Sequence, residues 1–509
     1  MGDLGDYLDL VNDDISDDGS SITSPNTYVE LSYNSDDIDT DQEMFDVNTV
    51  IEKTGWGKYQ RRVVLAMGFM SFADAAEIWL ATIILNDLQC EWELSSAQKA
   101  LVPAIVYIFY AFGSIVAGKM ADKFGRFPIL LINGYLIVIS AVCSALAPNY
   151  NLFISCRALT GLGIGASYGC SIVYTAELMP TAKRSWGIFI LEAYWVVGGL
   201  YECLMAYFVM DLPSGWRIQI LLTAVPCVVM LISLHFLDES PRYLVINDKR
   251  AEAMKVIEKI CKENKVEVPT GKIYCSDERS GGYKDVWAKP QTWGSIQISI
   301  HYFCNMFLVF GLALLVPDMM YRNYCDMSSL FETTYTNSEG CLVYTKAEYL
   351  FLIGVAVSYA PGLFAGTVGA ETIGRRWTFI ISIYTGAMFT FLLLICADSI
   401  FTYIILFTCS FAYGTYNQVL WIYTPEFYPT YMRATAIGVQ NGIGKIGAAF
   451  GSFITEYIDD MGIRYTVLFY IGLMLIACMT ICFMERETKG TALVDRDERV
   501  DENTRLSSR

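Results

Sequence analysis

Gly118-Lys-Met-Ala-Asp122-Lys-Phe-Gly125-Arg126 comes back further along the chain as Glu371-Thr-Ile-Gly374-Arg375, an offset of 249 residues for the acid, the second glycine and the arginine alike. The same offset carries Glu177, Pro180 and Arg184 onto Glu426, Pro429 and Arg433, and an offset of 248 carries Glu239 approximately onto Glu487. Three patterns at nearly one spacing mean a duplicated chain, and parallel repeats of this kind are a known architecture of membrane carriers.

Around these turns the chain is apolar. Of 509 residues, 54% are hydrophobic and 17% charged. Mean hydropathy is +0.38, which argues against a set of soluble domains. A helix needs roughly 20 apolar residues to cross a bilayer. Windows of that kind run at about 63–86, 100–120, 128–147, 151–176, 186–209, 217–237, 293–319, 346–369, 377–397, 399–423, 434–456 and 464–484. The expected fold is an all-α membrane protein with twelve transmembrane helices in two pseudo-symmetric six-helix bundles, residues 63–237 and 293–484. A charged linker at 238–292, containing a helical stretch around Ala251 to Lys262, joins the bundles.

Lys and Arg collect in alternate connections: Lys119, Lys123 and Arg126 after span two, Lys183 and Arg184 after span four, Arg375 and Arg376 after span eight, and a run from Arg242 to Lys289. The intervening connections are acidic or uncharged, so these basic turns, the linker and both termini are expected in the cytoplasm. The net charge of -17 does not describe the body, because residues 1–46 hold twelve Asp and two Glu with no Lys or Arg. This tail, taken to 1–62, has too few apolar residues for a core and is expected to be disordered, and residues 485–509 are expected to form a C-terminal tail. No cleavable signal is expected from the acidic opening residues, so the first span is expected to serve for targeting.

The repeated turns carry the first group of candidate residues. Gly118 and Gly125 permit a tight reversal, Asp122 can accept from a helix N-terminus, and Arg126 can fork onto a carboxylate. With Arg157, Glu177, Arg184, Glu239, Arg242, Glu371, Gly374, Arg375, Glu426 and Arg433 they form an expected cytoplasmic gate that latches the halves and opens as they rock apart.

Charges inside the spans mark the second group, because a charge in mid-bilayer is costly and faces a cavity or a partner. Asp74 lies about 18 Å deep, twelve residues past Arg62, and Glu77 follows one turn later, so the pair is a candidate proton or cation site or else a structural lock. Glu192 in span five is a cavity candidate, whereas Glu202, ten residues on, falls on another face. Lys445 lies equally deep in span eleven. Its neighbours Gly442, Gly444 and Gly447 spell a dinucleotide pattern with no preceding strand, and are expected to serve helix packing. His301 and Asn305 at i and i+4, with Tyr413, Tyr416, Asn417, Gln418 and Trp421, supply aromatic rings and amides suited to a ring-bearing or zwitterionic solute.

Two histidines leave little for a metal centre or a hydrolase triad, so no enzyme, metal, cofactor or nucleic-acid partner is expected. Most of the fifteen cysteines lie in apolar runs. Cys325 and Cys341, in the loop at 321–345, form a candidate disulfide if that loop faces an oxidising compartment, and otherwise remain two thiols. In the acidic tail Tyr7-Leu-Asp-Leu10 and Tyr28-Val-Glu-Leu31 have the form of tyrosine-based sorting signals for adaptor proteins, a four-residue pattern that also arises by chance.

Together with the repeated turns, Arg157-Ala-Leu-Thr-Gly-Leu-Gly-Ile-Gly165 and Tyr423-Thr-Pro-Glu-Phe-Tyr-Pro-Thr430 resemble the signature set of the major facilitator superfamily, from about Phe45 to Gly490. Gly55-Trp-Gly-Lys-Tyr-Gln60, Ala73-Asp-Ala-Ala-Glu77, Cys90-Glu-Trp92 and Leu191-Glu-Ala-Tyr-Trp-Val-Val-Gly198 are similar to its synaptic vesicle 2 and organic ion transporter-like group. The loop at 321–345 has no Asn-x-Ser/Thr sequon, which fits the smaller members of that group. The resemblance implies an alternating-access carrier in a synaptic or other cytoplasmic vesicle membrane, contacting lipid and moving a small organic solute. It also implies that a basic residue at Lys445 goes with anions, unless Asp74 and Glu77 neutralise it. The rival expectation is a non-transporting vesicle scaffold or trafficking protein that keeps the carrier fold.

Overall fold

The structure is a computed structural model, and it describes residues 44–180, 183–274, 282–321, 324–325, 335–336, 342–343, 346–395, 399–429, 432–459, 462–482 and 488. Tyr7, Tyr28 and Cys341 lie outside the described residues, as do Glu487 and the side chain of Asp122.

The chain begins with β1 (Met44–Asp46), α1 (Val47–Thr54), α2 (Lys58–Ile83) and α3 (Leu85–Trp92). The first half continues through α4 (Ser96–Phe124), α5 (Arg126–Ala145), α6 (Tyr150–Leu178), α7 (Arg184–Val209) and α8 (Gly215–Leu234). The linker contains α9 (Pro241–Ile246), α10 (Arg250–Asn264), β2 (Lys272–Tyr274) and α11 (Tyr283–Val286). The second half has α12 (Thr292–Tyr321), the short β3 (Tyr335–Thr336) and β4 (Leu342–Val343), then α13 (Lys346–Thr372), α14 (Arg375–Leu392), α15 (Ser399–Phe427), α16 (Arg433–Asp459) and α17 (Ile463–Cys482). The twelve long helices are the twelve expected spans. Eight of them, among the described residues, are crossing segments by length and composition alone. The expected transmembrane helices α6, α15 and α16 are diluted by inward-facing Gly, Ser, Thr, Asn and Gln, and α14 opens on two arginines.

Each half packs by one scheme, α4 on α6 and α2 on α7 in the first, α13 on α15 and α12 on α16 in the second. Gly165 shows why: a Cβ there would stand 2.1 Å from the Tyr110 carbonyl oxygen, so only glycine lets α6 approach α4. At the repeat offset, Gly414 meets the Tyr359 carbonyl, where a Cβ would stand 2.7 Å away. Contact between the halves runs mainly along α4 with α16 and α7 with α13. Because α13 repeats α4 and α16 repeats α7, these two seams are one contact used twice.

The expectation of a disordered segment to residue 62 is corrected for residues 44–62. Here β1 pairs in parallel with β2 of the linker, and Val47, Val50 and Ile51 share a small apolar core with Tyr243, Leu244, Ala253, Ile257 and Ile273. Three apolar positions at i, i+3 and i+4 in an eight-residue helix bury too little alone, but suffice against the amphipathic α10. The helix expected around Ala251 to Lys262 is this α10. It is fastened to the start of α2: Asn264 accepts from the Tyr59 backbone N–H at 3.1 Å, and Arg62 pairs with Glu263 at 2.8 Å.

Candidate substrate cavity and gate

The glycine turns organise the end of each half that carries them. Gly125 (φ 102°) and Gly374 (φ 98°) are the N-cap residues of α5 and α14, in a backbone region that side chains disfavour. Gly118 sits earlier, within α4. Arg126 then bonds Glu177 at 3.1 Å, and Arg375 bonds Glu426 at 2.7 and 3.0 Å. The guanidinium of each also donates to the carbonyl five residues back, Ala121 and Ala370. Ser240 donates to Glu177 at 2.5 Å and Thr488 to Glu426 at 2.6 Å, so the offset of 248 seen at Glu239 reappears in the hydroxyl that follows it. Arg184 donates to the Ala176 carbonyl and Arg433 to that of Pro425.

Glu239 accepts the backbone N–H groups of Arg126 (3.0 Å) and Phe127 (3.2 Å), which the start of α5 leaves without helical partners. Burial raises its carboxyl above the usual range, opposed by those N–H donors and by Arg126. Arg242 reaches Asn48 of α1 at 2.6 Å, and Glu371 is exposed.

All of these bonds join elements of one half, so they organise each turn from within. The bonds described across the halves at this end are instead Ser114 Oγ to the Gly438 carbonyl (3.1 Å) and Asn441 to Ser114 (3.3 Å), on the α4–α16 seam. One assignment is corrected. Arg157 lies two turns into α6, at the end opposite the glycine turns, where it cannot belong to their gate. It is buried and bonds Glu77 at 2.7 Å and Ser144 at 2.8 Å.

That pair separates Asp74 from Glu77, which the sequence placed together. One helical turn apart, they lie on diverging sides of α2. Glu77 points into the first half, against Arg157, while Asp74 lines a cavity between the halves with Glu192, Asn417 and Lys445. The Asp74 Oδ2 accepts the Trp195 indole N–H at 2.9 Å, and Oδ1 has no hydrogen-bond partner among the described residues. Glu192 accepts from the Tyr168 hydroxyl. Lys445 is 4% exposed. Its ammonium stands 4.4 Å from the Tyr110 ring centroid and 4.6 Å from that of Phe310, with no ion pair or hydrogen bond among the described residues. Rings attract a buried cation through their quadrupoles but do not neutralise it.

The other candidates are dispersed. Tyr413 lines an adjoining apolar cavity and bonds Thr390 at 2.7 Å. His301 and Tyr416 bond each other at 2.7 Å inside the second half, with Phe379 stacked on the imidazole, so neither faces the cavity as expected: the long α12 turns that face toward α14 and α17. Asn305 is buried, and both of its amide atoms lack a partner among the described residues. Glu202 bonds Gln219 and Thr223 between α7 and α8, away from Glu192. Cavity residues not singled out include Trp195, Tyr168, Tyr359 and Phe310, although Trp195 follows Glu192 by three and therefore shares its helical face. Cys325 is disulfide-bonded, and so is Cys90; the proposed partner Cys341 falls outside the described residues.

Two six-helix halves joined along two equivalent seams, with ionisable side chains buried between them, define a transmembrane carrier of the major facilitator fold rather than an enzyme. The chain belongs to the family described as sugar (and other) transporters, which it matches over residues 42–499. It is 30% identical to the rat (Rattus norvegicus) synaptic vesicle 2-related protein across 90% of this chain and 84% of that one. It is 25% identical to organic cation/carnitine transporter 7 of Arabidopsis thaliana, across 89% and 96%. In three dimensions it superposes on the E. coli xylose transporter XylE in a partially occluded inward-open conformation with a TM-score of 0.65, at 19% identity, covering 86% of this chain and all of that one.

Proposed function

We propose that this transporter is a secondary active, alternating-access carrier of a small organic anion, which binds at Lys445 in the cavity between residues 63–237 and 293–484. The observation that carries the reading is the ammonium itself, buried between two rings and lacking a counter-charge in direct contact. A solute carboxylate would supply what the site lacks, because a buried charge without a partner is unfavourable. Proton coupling falls to Asp74, the member of the acidic pair that faces the cavity. The setting is a vesicle membrane with both termini cytoplasmic, supported by the named relative and the basic turns, and Tyr7 and Tyr28 would serve sorting adaptors.

A second reading has an observation of its own. Asp74 and Glu192 outnumber Lys445 in the cavity, which favours a cation or zwitterion, and one relative is named for organic cations and carnitine. Thermal stabilisation of the purified protein by a panel of organic anions, cations, zwitterions and sugars separates the two. Stabilisation by anions that disappears in Lys445→Ala supports the first; stabilisation by cations that disappears in Asp74→Asn supports the second. Silence across the panel would sink both and return the chain to a scaffold role, testable by deleting residues 1–46. Uptake that is insensitive to pH, and unchanged in Asp74→Asn, would remove the coupling proton.

A further inference from the structure

Beside the charged cavity lies a second one of different chemistry. Its walls are Trp79, Val196, Leu312, Ala313, Val355 and Ala356, and it shares Trp195, Val309 and Tyr359 with the cavity of Asp74, Glu192 and Lys445. Three of the polar groups along its edge are turned elsewhere. Ser410 donates to the Val355 carbonyl at 3.0 Å, the Tyr413 hydroxyl bonds Thr390, and the Trp195 indole N–H bonds Asp74. Water needs two to four polar partners to settle in a cavity, whereas apolar cavities bind apolar groups. Trp195 is the hinge between the two environments, its N–H on the acid and its ring against Phe310 and Tyr359. Trp79 follows Asp74 by five residues on α2, which separates the ends of the joined space by on the order of 8 Å.

We infer that the transported solute is amphipathic, with its charged group among Lys445, Asp74 and Glu192 and an alkyl or aryl body in the apolar cavity between Trp79 and Ala356. This rests on the carrier reading above and is independent of the sign of the charge. The occupant is the body of the solute itself, because the two cavities share walls and one end alone holds charge.

Two probe series test it on the full chain in lipid nanodiscs, followed by thermal stabilisation. One runs from ethanoate to hexanoate, the other from tetramethylammonium to hexyltrimethylammonium. The expected result is an apparent affinity that rises about fourfold per added methylene and then levels off as the body reaches the far wall. Ala356→Trp, which fills the apolar cavity, is expected to flatten the series, and Ala313→Leu on another wall to shorten it; where the first does not fold, the second carries the comparison. A rise with the ammonium series alone keeps the amphipathic solute and removes the anionic reading. A flat or absent response in both series overturns the inference, and so does a slope that survives in the folded variants, since the body would then sit in lipid or elsewhere.

Discussion

Asp74 and Glu77 show how far a single turn of helix divides two side chains of nearly the same chemistry. Glu77 and Arg157 are 0% and 1% exposed at the side chain, so each is the other's substitute for water. Truncating one leaves the other charge buried alone. Glu77→Ala is therefore expected to cost about 3–5 kcal/mol, read as a fall in melting temperature with no change in which solutes still stabilise the protein; Asp74→Asn should do the reverse. Asp87 in α3, beyond the end of α2, gives a pH signature. Burial pushes its carboxyl up to about 6, with Glu91 adding to the shift. The unfolded group ionises near 4, so the folded state is penalised as pH rises from about 4 through 6, and stability falls across that window. A melting-temperature profile should flatten there in Asp87→Asn; an unchanged profile would mean that the ionised group is solvated.

At the scale of elements, close approach between backbones decides more than side-chain volume. Gly165 lies against the Tyr110 carbonyl, and neither α4 nor α6 can give way without moving a wall of the cavity, since Tyr110 carries the ring over Lys445. Gly165→Val is expected to lower stability and to weaken solute binding together, which parallel thermal and binding measurements would show. The start of α5 depends on a residue far along the chain: Glu239→Ala would leave two backbone N–H groups without their acceptor, a loss of roughly 1–2 kcal/mol. Glu239→Gln, which keeps an acceptor, should recover most of it. The repeat offset made the counterparts of Arg126 and Glu177 legible in the sequence; that arginine and glutamate would be each other's partners was not, because 51 residues separate them and only helix packing closes the distance.

For the molecule as a whole, the two seams related by the repeat are natural candidates for alternate opening, α4 with α16 and α7 with α13. Ser114 is bonded across the first seam to Gly438 and Asn441. Behind it a small cavity is lined by Gly118, Arg126 and the native thiol Cys170. Ser114→Ala removes bonds worth about 1 kcal/mol each, which biases the molecule toward opening at that end. Labelling of Cys170 by a hydrophilic thiol reagent, followed by peptide mass analysis, is expected to quicken about fivefold or more; unchanged labelling would show that the seam does not control access.

Hydropathy, the basic turns and the 249-residue repeat determined the twelve helices and the two halves, because membrane insertion and duplication leave marks that are local or periodic along the chain. Tertiary structure decided what became of the charges. The sequence marked Asp74, Glu77, Glu192 and Lys445 as expensive, but which of them faces the cavity depends on whether a partner waits on a neighbouring helix, and Arg157 waits for Glu77 alone. It likewise decided the order in residues 44–62, where β1 and α1 acquire a core only by meeting a strand and a helix roughly two hundred residues away. Contacts between distant segments have no period in the sequence, and it is the presence of a partner on a neighbouring helix that separates a structural ion pair from a candidate binding site.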